Sequence, residues 1–289
     1  MNNIIDPSAT IDSRVRLGSY NRIGKNVEIK FANPNGSSMA SFGDNNVIND
    51  GTRIIVGEGN LSVGDWNVFH NNILLIGGMG LNIGHNGWFG QNTIIDGSGG
   101  LEIQNGVRVG MYSQIWTHVG SGELIEGCTL FGFRKTTIED DVWLVGSCIV
   151  SSGITIAQRT VALIGSNLTK DTKAHAVYAG SPALEKPNLN FYKPVPIDDK
   201  FSMMENWAKE FVAKHNHKIV ISTQRIEIID DKNQESLVIS INLDPSSFDA
   251  KTTYYDLSIK KYTKKLTVLE NTFYRHIFNN KARFIPFNI

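Results

Sequence analysis

The chain has 289 residues, 41% of them hydrophobic, enough to bury a sizeable core and to fill more than one domain. Its 28 basic and 28 acidic residues cancel, so no overall field draws it to nucleic acid or to an anionic membrane, and no nucleic-acid partner is expected. The opening MNNIIDPSATIDSRVRLGSY lacks the uninterrupted apolar core of a signal peptide, and no apolar run is long enough to span a bilayer; no transmembrane segment is expected, and the cytosol is the expected compartment. Cys128 and Cys148, the two cysteines, form neither a disulfide framework nor a metal-ligand spacing.

In chain order, Ile5, Ile11, Leu17, Ile23 and Ile29 recur every six residues. Six is even, so in an extended chain these side chains share one face, and the glycines between the short runs suit turns. Residues 30–41 break the register, which predicts an inserted loop, and Phe42, Ile48 and Ile54 resume it. A period of 20 follows, linking Val63, Ile83 and Ile103, then Phe69, Phe89 and Val109, then Leu75, Ile95 and Ile115. Three six-residue sides plus two extra residues make one coil, with the extras in the glycine-rich IGGMG and DGSGG. Ile138, Leu144, Val150, Ile156, Ala162 and Leu168 return to sixes. Self-similarity at this period predicts a solenoid of parallel strands, each coil burying its inward row against its neighbours. A sandwich of short strands also alternates and has turn glycines, but its strands vary in length and nothing in it produces the echo.

After Ile115 the next inward residue in register is Ile138, so residues 116–137 leave the wall. A structureless loop of that length in a compact solenoid is functional or disordered. It opens with Trp116-Thr117-His118. Imidazole titrates near working pH, which makes His118 a candidate general base; a surface histidine on a mobile loop is the other reading. Asp96 lies 20 residues before Trp116, one coil below the start of the loop, and Asn92 four residues earlier. Either could bind hydroxyl groups and Asp96 could orient the imidazole, or both could be turn formers. His70 and His85 sit beside turn positions and read as solvated.

Beyond Pro187 the hexads stop, and PNLNFYKPVPIDDK reads as a linker. Phe201, Met204, Trp207, Ala208 and Phe211 predict one face of a helix through Lys214, with His215 and His217 near its end, where cations are favoured. HKIVISTQRIEIID and ESLVISINLD predict paired strands, and Leu266, Leu269, Phe273 and Ile277 a second helix. The expected organisation is residues 1–187 as the solenoid and 188–289 as a small α+β domain, which would either cap the open edge of the last coil or shape a cleft.

Residues 138–183, IEDDVWLVGSCIVSSGITIAQRTVALIGSNLTKDTKAHAVYAGSPA, resemble the left-handed β-helix hexapeptide-repeat acyltransferases, particularly the sugar and xenobiotic O- or N-acetyltransferases. Asp141-Val142-Trp143, Gly153-Ile154-Thr155-Ile156, Thr169-Lys170-Asp171 and Ala179-Gly180-Ser181-Pro182-Ala183 occur in the family's order and spacing. The resemblance implies a left-handed parallel β-helix, a homotrimer with sites between neighbouring prisms, acetyl-CoA as donor with no metal required, and a sugar or nucleotide-sugar acceptor in surface-polysaccharide biosynthesis. It makes His118 the general base and the backbone N–H of Gly146 the oxyanion donor, and it places Trp143 beside the CoA arm. Gly165 and Ser166 then line the pantetheine or adenine path, and Thr169 and Lys170 meet the phosphates. Asn92 and Asp96 are the candidates for acceptor binding. Two other readings stand beside this one: a metalloenzyme of the γ-carbonic anhydrase type on the same fold, which needs three histidines in a spacing that His70, His85 and His118 lack, and a binding solenoid without catalysis.

Overall fold

The computed structural model describes residues 2–120, 122–243 and 248–287; Asp244, the last residue of the second predicted strand pattern, lies outside them. The chain forms two compact units, Met1–Tyr192 and Lys193–Ile289. The first extends past the last hexads because Tyr192 turns back onto the prism: its hydroxyl donates to the Asp141 carbonyl at 3.4 Å, and the Arg159 guanidinium lies 5.5 Å from its ring.

In the first unit two to four extended residues make a side and a corner follows. Val68–Phe69, Leu74–Ile76 and Leu81–Ile83 are three sides of one coil, and Trp88–Phe89, Ile94–Asp96 and Leu101–Ile103 repeat them in the next. Equivalent sides pair in parallel, with Phe69 opposite Phe89, Leu75 opposite Ile95 and Ile83 opposite Ile103. We call the faces first, second and third in that chain order. Among the described residues they hold ten, eight and seven strands. The expected parallel β-helix is therefore the observed architecture. Its core is a set of columns such as Ile29, Ile54, Leu75, Ile95, Ile115 and Val150, each residue fully buried and paired with the next. Ile5, predicted inward, is 43% exposed and pairs with Ile23 on one side only.

Glycines serve the corners in two ways: Gly51, Gly106, Gly153 and Gly165 take the left-handed backbone of a turn, as read from the sequence, while others do not. Many corners take left-handed backbone at Asn45, Asn72, Asn86 and Asn92, and some even at Trp66 and Tyr112. Gly64 has no positive φ; a Cβ there would sit 2.7 Å from the Gly84 carbonyl oxygen of the next coil, so its smallness sets the coil spacing. Side-chain acceptors hold the corners between the third and first faces. Asp65 Oδ1 accepts from the Asp44 N–H at 2.8 Å, His85 Nδ1 from Asp65 at 2.9 Å, Asn105 Oδ1 from His85 at 2.9 Å and Asp140 Oδ1 from Asn105 at 2.7 Å.

Insertions collect at one corner, between the second and third faces. The first break lies between Glu28–Phe31 and Ala40–Phe42, and the glycine-rich IGGMG and DGSGG fill the same corner two and three coils later. Residues 116–137 leave there as well. Instead of a structureless loop they form a hairpin, His118–Gly120 antiparallel to Phe131–Phe133, with a short turn of helix at Leu124–Glu126. The chain rejoins the third face at Thr136, two residues before Ile138, because the Thr136 hydroxyl donates to the Trp116 carbonyl at 3.2 Å and accepts the Gly153 N–H at 3.0 Å.

The second unit has a helix α1, Ile197–His215, and a helix α2, Val268–Ile277. α1 starts inside the stretch read as a linker, and Leu266 precedes α2 in left-handed backbone instead of joining it. The predicted strands are present as Lys218–Ser222, Arg225–Asp230 and Glu235–Ser240, and the sheet continues through Thr252–Asp256, Lys261–Thr263 and Ile285–Phe287, which the sequence did not reveal. Thr252–Asp256 is buried at every position, so it lacks the alternation by which a strand is read. Its Tyr255 stacks on Tyr262 with centroids 5.1 Å apart and meets Phe284 edge-on at 5.0 Å. Among the described residues no helix is long and apolar enough to cross a membrane.

Beside these rings Glu270 is buried, and burial pushes its carboxyl up to about 7 although N–H groups of Lys265 and Leu266 and the Thr253 hydroxyl donate to it. A raised carboxylate pKa means that the folded state binds the proton more tightly than the unfolded one, so stability is full below the unfolded value and falls as pH rises towards 7. Glu270→Gln should remove a loss of about 3 kcal/mol between pH 4.5 and 7, read as a flatter pH dependence of the melting of this unit; a Gln variant with the parent's slope would contradict it. In the first unit, Phe89→Ala removes a ring stacked 4.8 Å from Phe69 and should lower stability by about 3–5 kcal/mol in urea denaturation; a loss under about 1 kcal/mol would mean that the column does not hold the coils.

Candidate active site

At the corner between the second and third faces the column Ile55, Ile76, Asp96 replaces an aliphatic residue by a carboxylate. Asp96 is fully buried and its oxygens are satisfied. Oδ1 accepts from the Ser98 hydroxyl at 2.5 Å, while Oδ2 accepts from the Thr117 N–H at 2.9 Å, from the Thr117 hydroxyl at 3.0 Å and lies 2.8 Å from His118 Nδ1. A carboxylate has about four lone-pair sites, so none is left to meet an acceptor. The acceptor-binding role expected of Asp96 is corrected on this ground: the side chain faces the imidazole, not the solvent. Burial pushes the carboxyl up, but the hydrogen bonds from Ser98, His118 and Thr117 together outweigh it and hold it below the usual carboxylate value.

An ionised Asp96 fixes the tautomer of His118. It accepts from Nδ1–H, which leaves Nε2 with the lone pair, and Nε2 has no partner among the described residues. The half-buried ring stacks on Phe133, 5.9 Å between centroids, and meets Trp116 edge-on at 6.0 Å. Its seat depends on Gly99, where a Cβ would run into the Thr117 carbonyl oxygen and the Arg134 backbone nitrogen. The hairpin therefore leaves the wall with its first residues pressed on the DGSGG corner.

The other expected residues fall in different places. Thr169 and Lys170 are exposed at the same corner, two coils beyond His118, with no side-chain partner among the described residues. Gly146, Gly165, Ser166 and Asn92 lie at the corner between the first and second faces, and Trp143 is on the first face, 40% exposed. The Gly146 N–H has no acceptor among the described residues, and a Cβ there would meet nothing nearer than Met111 O at 3.6 Å. Gly165 takes left-handed backbone and donates to the Gly146 carbonyl at 2.9 Å. Ser166 is buried and gives its hydroxyl to the Leu163 carbonyl at 2.5 Å, which corrects its expected place along a cofactor path. Asn92 is a left-handed corner residue.

Within one chain His118 and Gly146 are not together. His118 follows the strand Gln114–Ile115 and Gly146 precedes Ile149–Val150, which pairs with it, so a whole side of the second face, roughly 15–20 Å, separates them. His70, His85 and His118 likewise occupy three different corners; His85 Nδ1 is taken by the Asp65 N–H, and the His70 ring lies 4.7 Å from that of Trp88. Sequence reasoning did not find Ser98, Thr117, Phe133 or Gly99. The spacing Asp96-x-Ser98 is the signal that points to the first of these.

No family model matches the chain. It is similar to solved structures of a maltose O-acetyltransferase from Clostridium difficile 630 (25% identity, TM-score 0.35, over 39% of this chain), and the match spans 60% of that enzyme's length. It is also similar to a UDP-N-acetylglucosamine acyltransferase from Francisella novicida (14% identity, TM-score 0.42, over 71% of this chain and 79% of that one). A third is AntD, an N-acyltransferase from Bacillus cereus in complex with dTDP and 3-hydroxybutyryl-CoA (12% identity, TM-score 0.36, over 74% of this chain and 89% of that one).

Gly99→Ala should displace the hairpin base and destabilise the first unit by about 1–3 kcal/mol, with broadened or shifted His118 imidazole signals in NMR; unchanged signals and melting would show that the contact is not required.

Proposed function

We propose that this protein is an acetyl-CoA-dependent acyltransferase that acetylates a hydroxyl or amino group of a sugar, working in the cytoplasm on precursors of a surface polysaccharide. The observation that supports it most is the Asp96–His118 pair, which holds an imidazole by one nitrogen and leaves the other free on an excursion from a rigid wall. Nε2 takes the proton of the acceptor as its oxygen or nitrogen attacks the thioester carbonyl, and the Asp96 carboxylate stabilises the imidazolium. The Gly146 N–H receives the developing oxyanion, and collapse expels the CoA thiolate, which takes the proton back from the imidazolium. Products are the acetylated sugar and free CoA thiol, with no acyl-enzyme: Cys148 is buried and its thiol donates to the Gly146 carbonyl at 3.4 Å, and the half-buried Cys128 lies in no motif that would activate it. Lys170 with Thr169 suits a CoA phosphate.

The separation of His118 from Gly146 in one chain is accounted for if each site takes the imidazole from one copy and the amide from another, as closure of three prisms around an axis would arrange. The family resemblance of residues 138–183 also favours a trimer.

A screen of amino- and hydroxyl-bearing sugars and their nucleotide conjugates with acetyl-CoA, read by free thiol, should find turnover, and His118→Ala should lower kcat by about a hundred- to ten-thousand-fold with the KM for acetyl-CoA little changed. Near parental turnover in the variant would remove the base. Sedimentation should give a trimer; a fully active monomer at micromolar concentration would overturn the shared site.

A further inference from the structure

The hairpin that carries His118 has two faces. In its antiparallel register His118 stands opposite Phe133 and Gly120 opposite Phe131. Residues directly opposite, and those two apart along a strand, project to the same side, so these four share one face while Val119 and Gly132 take the other. The Phe133 ring lies 5.9 Å from the imidazole at 19° to it, and the Phe131 ring stands 5.8 Å from Phe133 and at 83° to it. Gly120 makes room for this arrangement: a Cβ there would lie 2.9 Å from Cδ2 of Phe131, so a side chain at 120 would push that ring off the face.

Both phenyl rings are more than half exposed, whereas the wall phenylalanines Phe31, Phe42, Phe69 and Phe89 are buried. Two large apolar rings left in water at one spot mark a surface that something covers. Standing at 83°, they make a corner with a floor and a wall. Of the strand residues that share this face only His118 can carry a charge. The exposed apolar residues nearer the tip of the hairpin, Leu124, Ile125 and Leu130, are aliphatic. Beside the imidazole they give way to flat rings of fixed mutual orientation, and apolar aromatic groups around one convergent polar group are the composition of a small-molecule site.

We propose that Phe131 and Phe133 form the acceptor subsite, and that its ligand is a neutral pyranose ring held by a C–H face. A pyranose chair is a disc with C–H bonds on its faces and hydroxyl groups at its rim. The C–H hydrogens are drawn to the negative face of an aromatic ring, and covering the phenyl faces removes apolar surface from water. With the sugar seated in the corner of the two rings, a hydroxyl or amino group at its rim comes to the imidazole, whose Nδ1 is held by Asp96 and whose Nε2 is free to take the proton. Any charged part of the acceptor then lies away from this face. The inference rests on the acyltransferase reading for its kinetics but not for its binding test.

Binding is measured on the full chain without acetyl-CoA, by saturation-transfer NMR with methyl hexopyranosides, with the open-chain hexitols that carry similar hydroxyls without a ring, and with a hexuronic acid. The expected result is saturation concentrated on the ring C–H protons of at least one pyranoside, with an affinity about ten-fold or more above that of the hexitol. Phe131→Ala, which spares the Phe133 ring against the imidazole, should abolish that preference at parental melting temperature, and Phe131→Tyr should keep it. With the acceptor found by the screen, Phe131→Ala should raise its KM about ten-fold or more and leave the KM for acetyl-CoA within about two-fold. No pyranoside signal, equal affinity for ring and open chain, tighter binding of the hexuronic acid than of any neutral pyranoside, or an acceptor KM unmoved in Phe131→Ala would each overturn the proposal. So would sedimentation showing that Phe131→Ala breaks up the parental assembly, because the rings would then be a contact between copies. Pyranoside binding that Phe131→Ala removes, with no acetyl transfer to any sugar, would leave the subsite standing and remove the acyltransferase reading instead.

Discussion

Each coil buries its inward row only against the coils on either side. A column such as Ile54, Leu75, Ile95, Ile115 and Val150 is continuous because equivalent residues meet at every level, and a single residue gained or lost within a side would turn its apolar set outward. The sides are therefore invariant and variation is driven to the corners. In this chain it is driven to one corner, between the second and third faces, which takes the break after Phe31, the two glycine-rich expansions and the hairpin of residues 118–133.

The candidate site grows out of that constraint. Asp96 could be placed in a wall of isoleucines only if donors met its charge there, since an unpaired buried carboxylate is strongly unfavourable. The expanded corner supplies Ser98, and the departing chain supplies Thr117 and His118, so the same irregularity that breaks the repeat satisfies the carboxylate and seats the imidazole. Gly99 lets the hairpin base come close enough for this to happen. The histidine is thus held by rigid scaffold although it stands at the mouth of a loop, which is what a base that must be positioned within tenths of an ångström needs.

The prism also separates what chemistry would bring together. A flat side stands between His118 and Gly146, and straight walls cannot fold back on themselves within one chain.

The coil, its three sides, the place where the chain leaves the wall and the histidine at that place were legible in the sequence, because a period of six with an even side-chain alternation is a local pattern and each inward residue repeats the signal of the one before. The helices of the second unit were legible for the same reason, whereas Thr252–Asp256 was not, since a strand covered on both sides carries no alternation. Tertiary structure alone decided that Asp96 faces the imidazole, that Ser166 turns its hydroxyl inward, that Gly64 serves coil spacing and that Tyr192 belongs to the first unit. Those outcomes depend on which side chains meet across a corner, between residues a full coil or more apart, and the hydrophobic period records that a corner exists without recording the direction in which its side chains point.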